Sequence, residues 1–357
     1  MQNRGLNNKK ASGWCRKLLS WYDDHRRDLP WRNESDPYKI WLSEVMLQQT
    51  RVETALPYYK RFISEYPTLQ KLALAEEGRV LKLWEGLGYY ARARHFLQAV
   101  REVDCQYGGR VPDTAKEFGG LAGVGEYTQA AVLSIAYHQP LAVVDGNVRR
   151  VLCRLFAITE DTSKVKMQRE MQRIAQHLLD PSRPGDYNQA IMELGALICI
   201  PRAPRCEQCP VAKLCEGRKA GIAAALPVKK KKKVLPIKQY TAVVLLQAQK
   251  CLIRCRKERL LHGLWEFPNV VTSDDTDVEL SSLLSTPVTL AKDVFQLTHE
   301  FSHLRWQISI VLGETTGEVQ PQGDGWRWVT VEEMDVLPFP AVYQPVVKMV
   351  QKKLRDN

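Results

Sequence analysis

No uninterrupted apolar run approaches the roughly 18 residues that a membrane-spanning helix needs. The N-terminal segment MQNRGLNNKKASGWCRKLL carries basic residues with no apolar stretch behind them, which excludes a secretory leader. The chain therefore reads as one that stays in the cytoplasm, off the membrane. Acidic residues are in short supply: 40 Asp and Glu against 51 Lys and Arg leave a formal charge of +11. A cationic surface gains affinity for a polyanion by releasing counterions from it, though a merely basic, soluble protein carries the same excess. Nine cysteines are an odd number and cannot all pair. Four of them crowd between Cys199 and Cys215, which in an intracellular chain indicates a metal site before a disulfide framework. Disorder is excluded by a composition that is 45% hydrophobic and 25% charged.

At about 150 residues per domain, the chain is long enough for two domains with separate cores. From Ser12 to about Cys215, apolar residues recur at three- and four-residue spacing, as in Ile40, Trp41, Val45 and Met46, and the texture is helical. The segment 223–236, with its small residues, prolines and the run Lys229–Lys233, reads as a basic linker. Beyond it the texture turns to β, with strand-like runs in QYTAVVLLQ, CLIRCRK, VFQLTHEFSHLRWQISIVLG and GWRWVTV. One or two helices remain, near Val278–Leu284 and Tyr343–Leu354. The expected division is a flexible start (1–11), an all-α domain (12–222), the linker, and a smaller α+β domain (237–357).

Four constellations in the helical domain carry chemistry. Cys199, Cys206, Cys209 and Cys215 are separated by six, two and five intervening residues, in a turn-rich stretch that suits either a four-thiolate zinc or a 4Fe-4S cluster. Only one pair has the tight CxxC spacing usual in zinc sites, which favours the cluster. Arg202 and Arg205 lie within the first loop of that stretch (199–215), where folding would present them to phosphates. Next, LAGVGEYT (121–128) sits inside a predicted helical hairpin (114–138). Glycines in such a turn let backbone amides approach an anion. Third, Asp145 stands where an apolar run ends and a helix begins, so the helix dipole should keep it ionised; a simple N-cap is the plain alternative. Fourth, Glu44 lies among Trp41, Leu42, Val45, Met46 and Leu47, where desolvation would raise its pKa; a solvent-facing stripe with Gln48 and Arg51 is the competing reading. One protonated and one charged carboxyl are what glycosidic cleavage through an oxocarbenium-like transition state requires. A base in duplex DNA must first leave the stack.

Together LPWR (29–32), WLSEVMLQQT (41–50), WEGLGYYARAR (84–94), LAGVGEYT, VVDGNVRRV (143–151) and the four cysteines resemble the adenine DNA glycosylases of the MutY type, within the endonuclease III-like superfamily. The resemblance runs from about Asp28 into the second domain. It implies an all-α helix-hairpin-helix glycosylase domain with an iron-sulfur cluster loop, followed by a smaller α+β Nudix-like domain. It further implies a 4Fe-4S cofactor and a monomer acting on double-stranded DNA with A:8-oxoguanine or A:G mispairs. Glu44 resembles the acid that protonates adenine N7, and Asp145 the carboxylate facing the deoxyribose cation. Tyr127 and Asn147 resemble residues that position the reacting groups. Arg32 would border the adenine pocket, Gln49 and Tyr89 would enter the base stack, and Gly123, Val124 and Gly125 would offer amides to phosphate. Two departures stand out: Ala122, where the family's hairpin usually has proline, and Gln189, where some relatives carry glutamate. Lyase-active relatives carry a lysine where this chain has Tyr127, so water is the expected acceptor. In the second domain, Phe301, Ser302 and His303 match the family's lesion-reading loop; surface histidines and a core Phe are the plain alternative. No acidic Nudix helix follows Trp265-Glu-Phe-Pro268, so pyrophosphate hydrolysis is not expected. The competing function is a DNA-binding protein in which both carboxyls are structural.

Overall fold

The computed structural model describes residues 8–228 and 234–356. The lysine run Lys229–Lys233 and the first seven residues of the expected flexible start lie outside the described residues. In chain order the helices are α1 (Asn8–His25), α2 (Pro37–Leu47), α3 (Val52–Glu65), α4 (Leu69–Ala73), α5 (Glu77–Leu83), α6 (Ala91–Gln106), α7 (Ala115–Gly120), α8 (Glu126–Tyr137), α9 (Gly146–Leu155), α10 (Val165–Leu178), α11 (Pro184–Leu197) and α12 (Glu216–Lys219). After the linker come β1 (Ile237–Gln247), β2 (Lys250–Cys255), β3 (Trp265–Glu266), β4 (Asn269–Val271), α13 (Thr276–Leu284), β5 (Val288–Glu300), β6 (Arg305–Thr315), β7 (Trp326–Val329), α14 (Val331–Val336) and α15 (Gln344–Asp356).

Two compact units result: one comprises the described residues of Met1–Gln49, Thr68–Gln70 and Ala99–Lys232, the other those of Thr50–Pro67, Lys71–Gln98 and Lys233–Asn357. Helical residues within 50–67 and 71–98 thus count with the strands rather than with the rest of the helical segment. The physical reason is direct bonding: the Phe339 amide donates to Glu85 Oε1 at 2.7 Å, and Lys82 Nζ donates to the Leu337 carbonyl at 3.0 Å.

In the first unit, local signals start the helices. Asp36 caps α2 by accepting from the Tyr38 amide at 2.9 Å, with Pro37 at the first helical position. Thr114 caps α7, and Asp145 caps α9. The core draws Trp14, Leu18 and Tyr22 from α1, Val148 and Leu152 from α9, and Tyr187 and Leu194 from α11. Trp14 Nε1 donates to the Tyr187 hydroxyl at 2.9 Å, so the one polar atom that each ring brings into this core is satisfied.

Among the described residues of the second unit, seven strands form one mixed sheet, ordered β3-β2-β1-β6-β5, with β4 added to β1 and β7 to β2. Strand β1 runs parallel to β6 and antiparallel to β2 and β4. Ala242 and Val244 face one apolar cluster and Val243 and Leu245 another, which is why TAVVLL reads as a continuous apolar run rather than an alternation. Helices α13 and α15 occupy the places expected from the sequence; α14 is an addition. Its start is a capping box, in which Thr330 and Glu333 each bond to the other's amide, and this T-x-x-E signature was readable in the sequence.

Candidate active site

Helix α2 carries Glu44 into the interior, where it is only 4% exposed; this overturns the reading of Glu44, Gln48 and Arg51 as one solvent-facing stripe. Gln48 instead donates to Thr128 Oγ1 of α8 at 2.9 Å. The Tyr127 hydroxyl donates to Glu44 Oε2 at 2.7 Å and lies 3.4 Å from Met192 Sδ. Burial pushes the Glu44 carboxyl up to about 7, against the Tyr127 hydrogen bond and the Arg32 charge that hold it down; the nearby Asp145 charge pushes it further up. Tyr127 is itself held well above the usual phenol range by desolvation and by the Glu44 and Asp145 charges, so it stays neutral and donates.

Asp145 caps α9 by accepting from the Val148 amide at 2.7 Å, and Asn147 Nδ2 donates to its second oxygen at 2.9 Å. The helix dipole alone led to the expectation of an ionised group. Desolvation nevertheless raises its pKa above the ordinary aspartate value, with the two donors and Arg150 opposing. Glu44 accepts one short bond and Asp145 two. Hydrogen bonding therefore favours the charged form more at Asp145 than at Glu44.

Arg32 is committed to a partner the sequence did not single out. Glu193 of α11 is 1% exposed and receives Arg32 Nη1 at 3.0 Å and Nη2 at 2.6 Å, together with Arg27 Nε at 2.9 Å and Nη2 at 2.8 Å. Desolvation opposes ionisation of Glu193, but hydrogen bonds from the two guanidiniums outweigh it and hold the carboxyl at about 2. An ionisable residue in the apolar helix NQAIMELGA, four residues after Gln189 and hence on the same face, was the signal available. The Gln189 side chain makes no hydrogen bond among the described residues.

One helix ties the Asp145 cap to the cysteine loop. Arg150 donates through Nη2 to Asn147 Oδ1 at 2.9 Å and to the Gly195 carbonyl at 2.7 Å, and through Nε to the Cys199 carbonyl at 2.7 Å. Arg154, 2% exposed, reaches Cys199 Sγ at 3.3 Å and the Ile200 carbonyl at 2.7 Å. Cys199, Cys206, Cys209 and Cys215 line one cavity with Arg154 beside them. Burial pushes the Cys209 thiol up to about 11 and the Cys215 thiol upward, with the charges of the other cysteines adding to the rise. Four thiolates there require a cationic centre, so the donor set fits a metal group. Among the described residues, no group of three or more His, Cys, Asp or Glu is gathered tightly enough to hold a single ion. Arg202 and Arg205 are both exposed on this loop.

The hairpin turn closes with the Val124 amide donating to the Leu121 carbonyl at 3.1 Å and Gly123 at φ +74°. A turn of this kind wants glycine at its third position and favours proline at its second, which explains both Gly123 and the tolerance of Ala122. Gly125 starts α8 and leaves its amide end without a side-chain cap, a ready anion site. Gln49 is exposed at φ +58°. In the second unit, Tyr89 is 49% exposed at φ +50°. Left-handed backbone is costly for such residues and concentrates at functional positions. Also in that unit, the turn 301–304 closes with the Phe301 amide donating to the Leu304 carbonyl at 2.8 Å. Phe301 packs edge-on against Trp306, centroids 4.9 Å apart, while Ser302 and His303 are exposed.

Among the described residues, no helix is long and apolar enough to cross a membrane. The family described as HhH-GPD superfamily base excision DNA repair protein matches residues 42–177, and the NUDIX domain family matches 241–349. The chain is 35% identical to the adenine DNA glycosylase of Homo sapiens over 94% of this chain and 73% of that protein. It is 36% identical to that of Rattus norvegicus, covering 97% and 80%, and 33% identical to that of Buchnera aphidicola subsp. Schizaphis graminum, covering 83% and 86%. Among solved structures, a thermostable thymine-DNA glycosylase superposes with a TM-score of 0.55 at 31% identity, over 60% of this chain and 98% of that one. An endonuclease III from a non-covalent DNA complex shares the fold, with a TM-score of 0.52 at 21% identity over 61% and 99%. With a helix-hairpin-helix domain followed by a Nudix-like one and this identity along nearly its whole length, the chain belongs to the MutY-type adenine DNA glycosylases.

Proposed function

We propose that this protein hydrolyses the N-glycosidic bond of adenine mispaired with 8-oxoguanine, and of adenine in A:G, during base excision repair. The observation that carries this reading is the pairing of a buried Glu44, held near neutrality and bonded to Tyr127, with Asp145 at a helix N-terminus. Glu44 gives its proton to adenine N7 as the C1′–N9 bond breaks and the base departs neutral. Asp145 faces the developing positive charge on the deoxyribose, where a fixed anion stabilises the transition state more than the ground state. A water adds to C1′, and the Glu44 carboxylate takes its proton, which restores the acid. Tyr127 and Asn147 orient the two carboxyls. Tyr127 has no amine to attack the sugar, so base removal ends at an abasic site without strand cleavage.

The duplex is held through backbone contacts at Gly123, Val124 and Gly125, where the start of α8 has no side-chain cap, and through Arg202 and Arg205. Arg32 acts through Glu193 on the wall of the adenine pocket. Gln49 and Tyr89 enter the stack as adenine leaves. Phe301, Ser302 and His303 read the base opposite, since oxidation of guanine turns N7 into a donor that a serine oxygen accepts. Cys199, Cys206, Cys209 and Cys215 would hold a 4Fe-4S cluster. When bound, such a cluster would cross-link the loop 199–215; the glycosidic chemistry requires no electron transfer.

The test is single-turnover incubation with an A:8-oxoguanine duplex, with and without alkali. Strand breaks should follow only after alkali, with no borohydride-trapped adduct. Binding without any alkali-labile site would return both carboxyls to structural roles.

A further inference from the structure

A cavity of about 450 Å³ lies within the second unit, lined by segment 88–94, the loop after β2 and the turn 301–303. This volume is inside the roughly 300–1,000 Å³ range of sites that enclose one small molecule or nucleotide. Its lining combines apolar surface from Leu260, Leu261 and Val342 with guanidinium groups from Arg94 and Arg259. The carboxylate on its wall, Glu300, is already paired with Arg305.

The loop bearing Arg259 is rigidly built. Arg256 is buried against Glu266, which is 0% exposed, and its Nε donates to the Leu260 carbonyl at 3.1 Å. The Gly263 amide donates to the Arg256 carbonyl, and the Arg256 amide to the Leu264 carbonyl, both at 2.9 Å. His262 Nδ1 stands 2.9 Å from the Lys257 carbonyl. At the tip of this brace Arg259 is exposed and has no side-chain partner among the described residues. Arg94 Nε is buried and likewise has no hydrogen-bond partner. A fixed loop that presents one unpaired guanidinium over an apolar cavity, with a second orphaned guanidinium N–H in the wall, suits a unit with a flat face and an anionic oxygen. That is the chemistry of one nucleotide in a strand.

We propose that Arg259, assisted by Arg94, holds a backbone phosphate of the strand opposite the excised adenine, and so sets affinity without reading the base. The inference rests on the proposed reading of residues 301–303 as the lesion side. A phosphate contact and a base contact leave different signatures.

Binding is measured on A:8-oxoguanine and A:G duplexes that carry a non-hydrolysable fluorinated deoxyadenosine, between roughly 50 and 200 mM salt. Arg259→Ala should weaken both duplexes equally, by roughly tenfold at the low-salt end, and reduce the slope of log affinity against log salt by about 0.9. Arg259→Lys should restore the slope. Arg259 is exposed, so folding is not at risk. Unchanged affinity and slope would overturn the proposal, and so would a loss confined to A:8-oxoguanine, which would make Arg259 a reader of the base. In parallel, equal losses on both duplexes for Phe301→Ala with Ser302→Ala would remove the lesion-reading role and leave the phosphate contact standing.

Discussion

The Tyr127 hydroxyl and Glu44 Oε2, 83 residues apart in the chain, meet at 2.7 Å in the first unit. That bond holds the Glu44 pKa down while burial pushes it up, and the balance lies at about 7. Excision that needs protonated Glu44 should therefore hold its rate below about pH 7 and fall above it, with an acid limb where Asp145 takes up a proton. Tyr127→Phe removes a lowering contribution, so the alkaline limb should move to higher pH. Glu44→Gln should reduce single-turnover excision by roughly 10²- to 10⁴-fold at all pH values. A wild-type profile that is flat from pH 6 to 9 would remove Glu44 as the acid.

Asp145 serves as both anion and helix cap, and two substitutions separate the roles. Asn caps nearly as well as Asp, so Asp145→Asn should keep thermal stability and DNA affinity while losing excision. Asp145→Ala should lose excision and in addition about 1 kcal/mol of stability, read by urea denaturation. Near wild-type excision in the Asn variant would show that the charge is not used.

Glu193 and Glu44 should shape stability against pH in opposite senses. The Glu193 pKa lies at about 2 in the folded protein against an ordinary value of 4.5. Its contribution is thus present above about 4.5 and is lost as pH falls through about 2. Glu193→Gln should cost about 3–5 kcal/mol near neutrality, because Arg27 and Arg32 are left without their anion, and this cost should shrink in acid. Glu44 has a raised pKa, so its share of stability is complete below about 4.5 and is lost as pH rises through about 7. Glu44→Gln should therefore unfold at higher denaturant than wild type at pH 8. Equal urea midpoints there would contradict the burial argument.

Gly195 lets α11 approach the first turn of α9: a β-carbon on it would stand 2.7 Å from Asn147 Cβ. Gly195→Ala should displace Asn147, which donates to Asp145, and lower single-turnover excision at least tenfold at a temperature where the protein stays folded. The overpacking itself should cost about 1–3 kcal/mol. A variant of unchanged rate would show that Asn147 does not position Asp145.

Anaerobically purified protein should be yellow-brown and contain iron rather than zinc. Cys209→Ser should lose iron and, with it, the order of residues 199–215, read as faster amide exchange there. Stoichiometric zinc by elemental analysis would reject the cluster.

Local signals were legible wherever they act through neighbours in the chain. Asp36 and Pro37 announce α2, Thr114 announces α7, and Gly123 marks the turn that needs a positive φ. Short-range signals also existed where the sequence reading passed over them, as in the Thr330–Glu333 box of α14. The assignment of residues 50–67 and 71–98 to the second unit had no such signal, because bonds such as Glu85 to Phe339 join positions 254 residues apart.

The sequence by itself determined the donor set of the cysteine loop, the glycine turn of the hairpin and the capping position of Asp145, since each depends on spacing or on one residue's allowed backbone angles. Only the tertiary structure decided the protonation of the site. Glu44 is raised by burial among elements distant in sequence, and Glu193 is lowered by Arg27 and Arg32, which lie 166 and 161 residues away. Desolvation and ion pairing act through space, so a pattern of residue types places a carboxyl on a helix without revealing whether water, a phenol or two guanidiniums will face it.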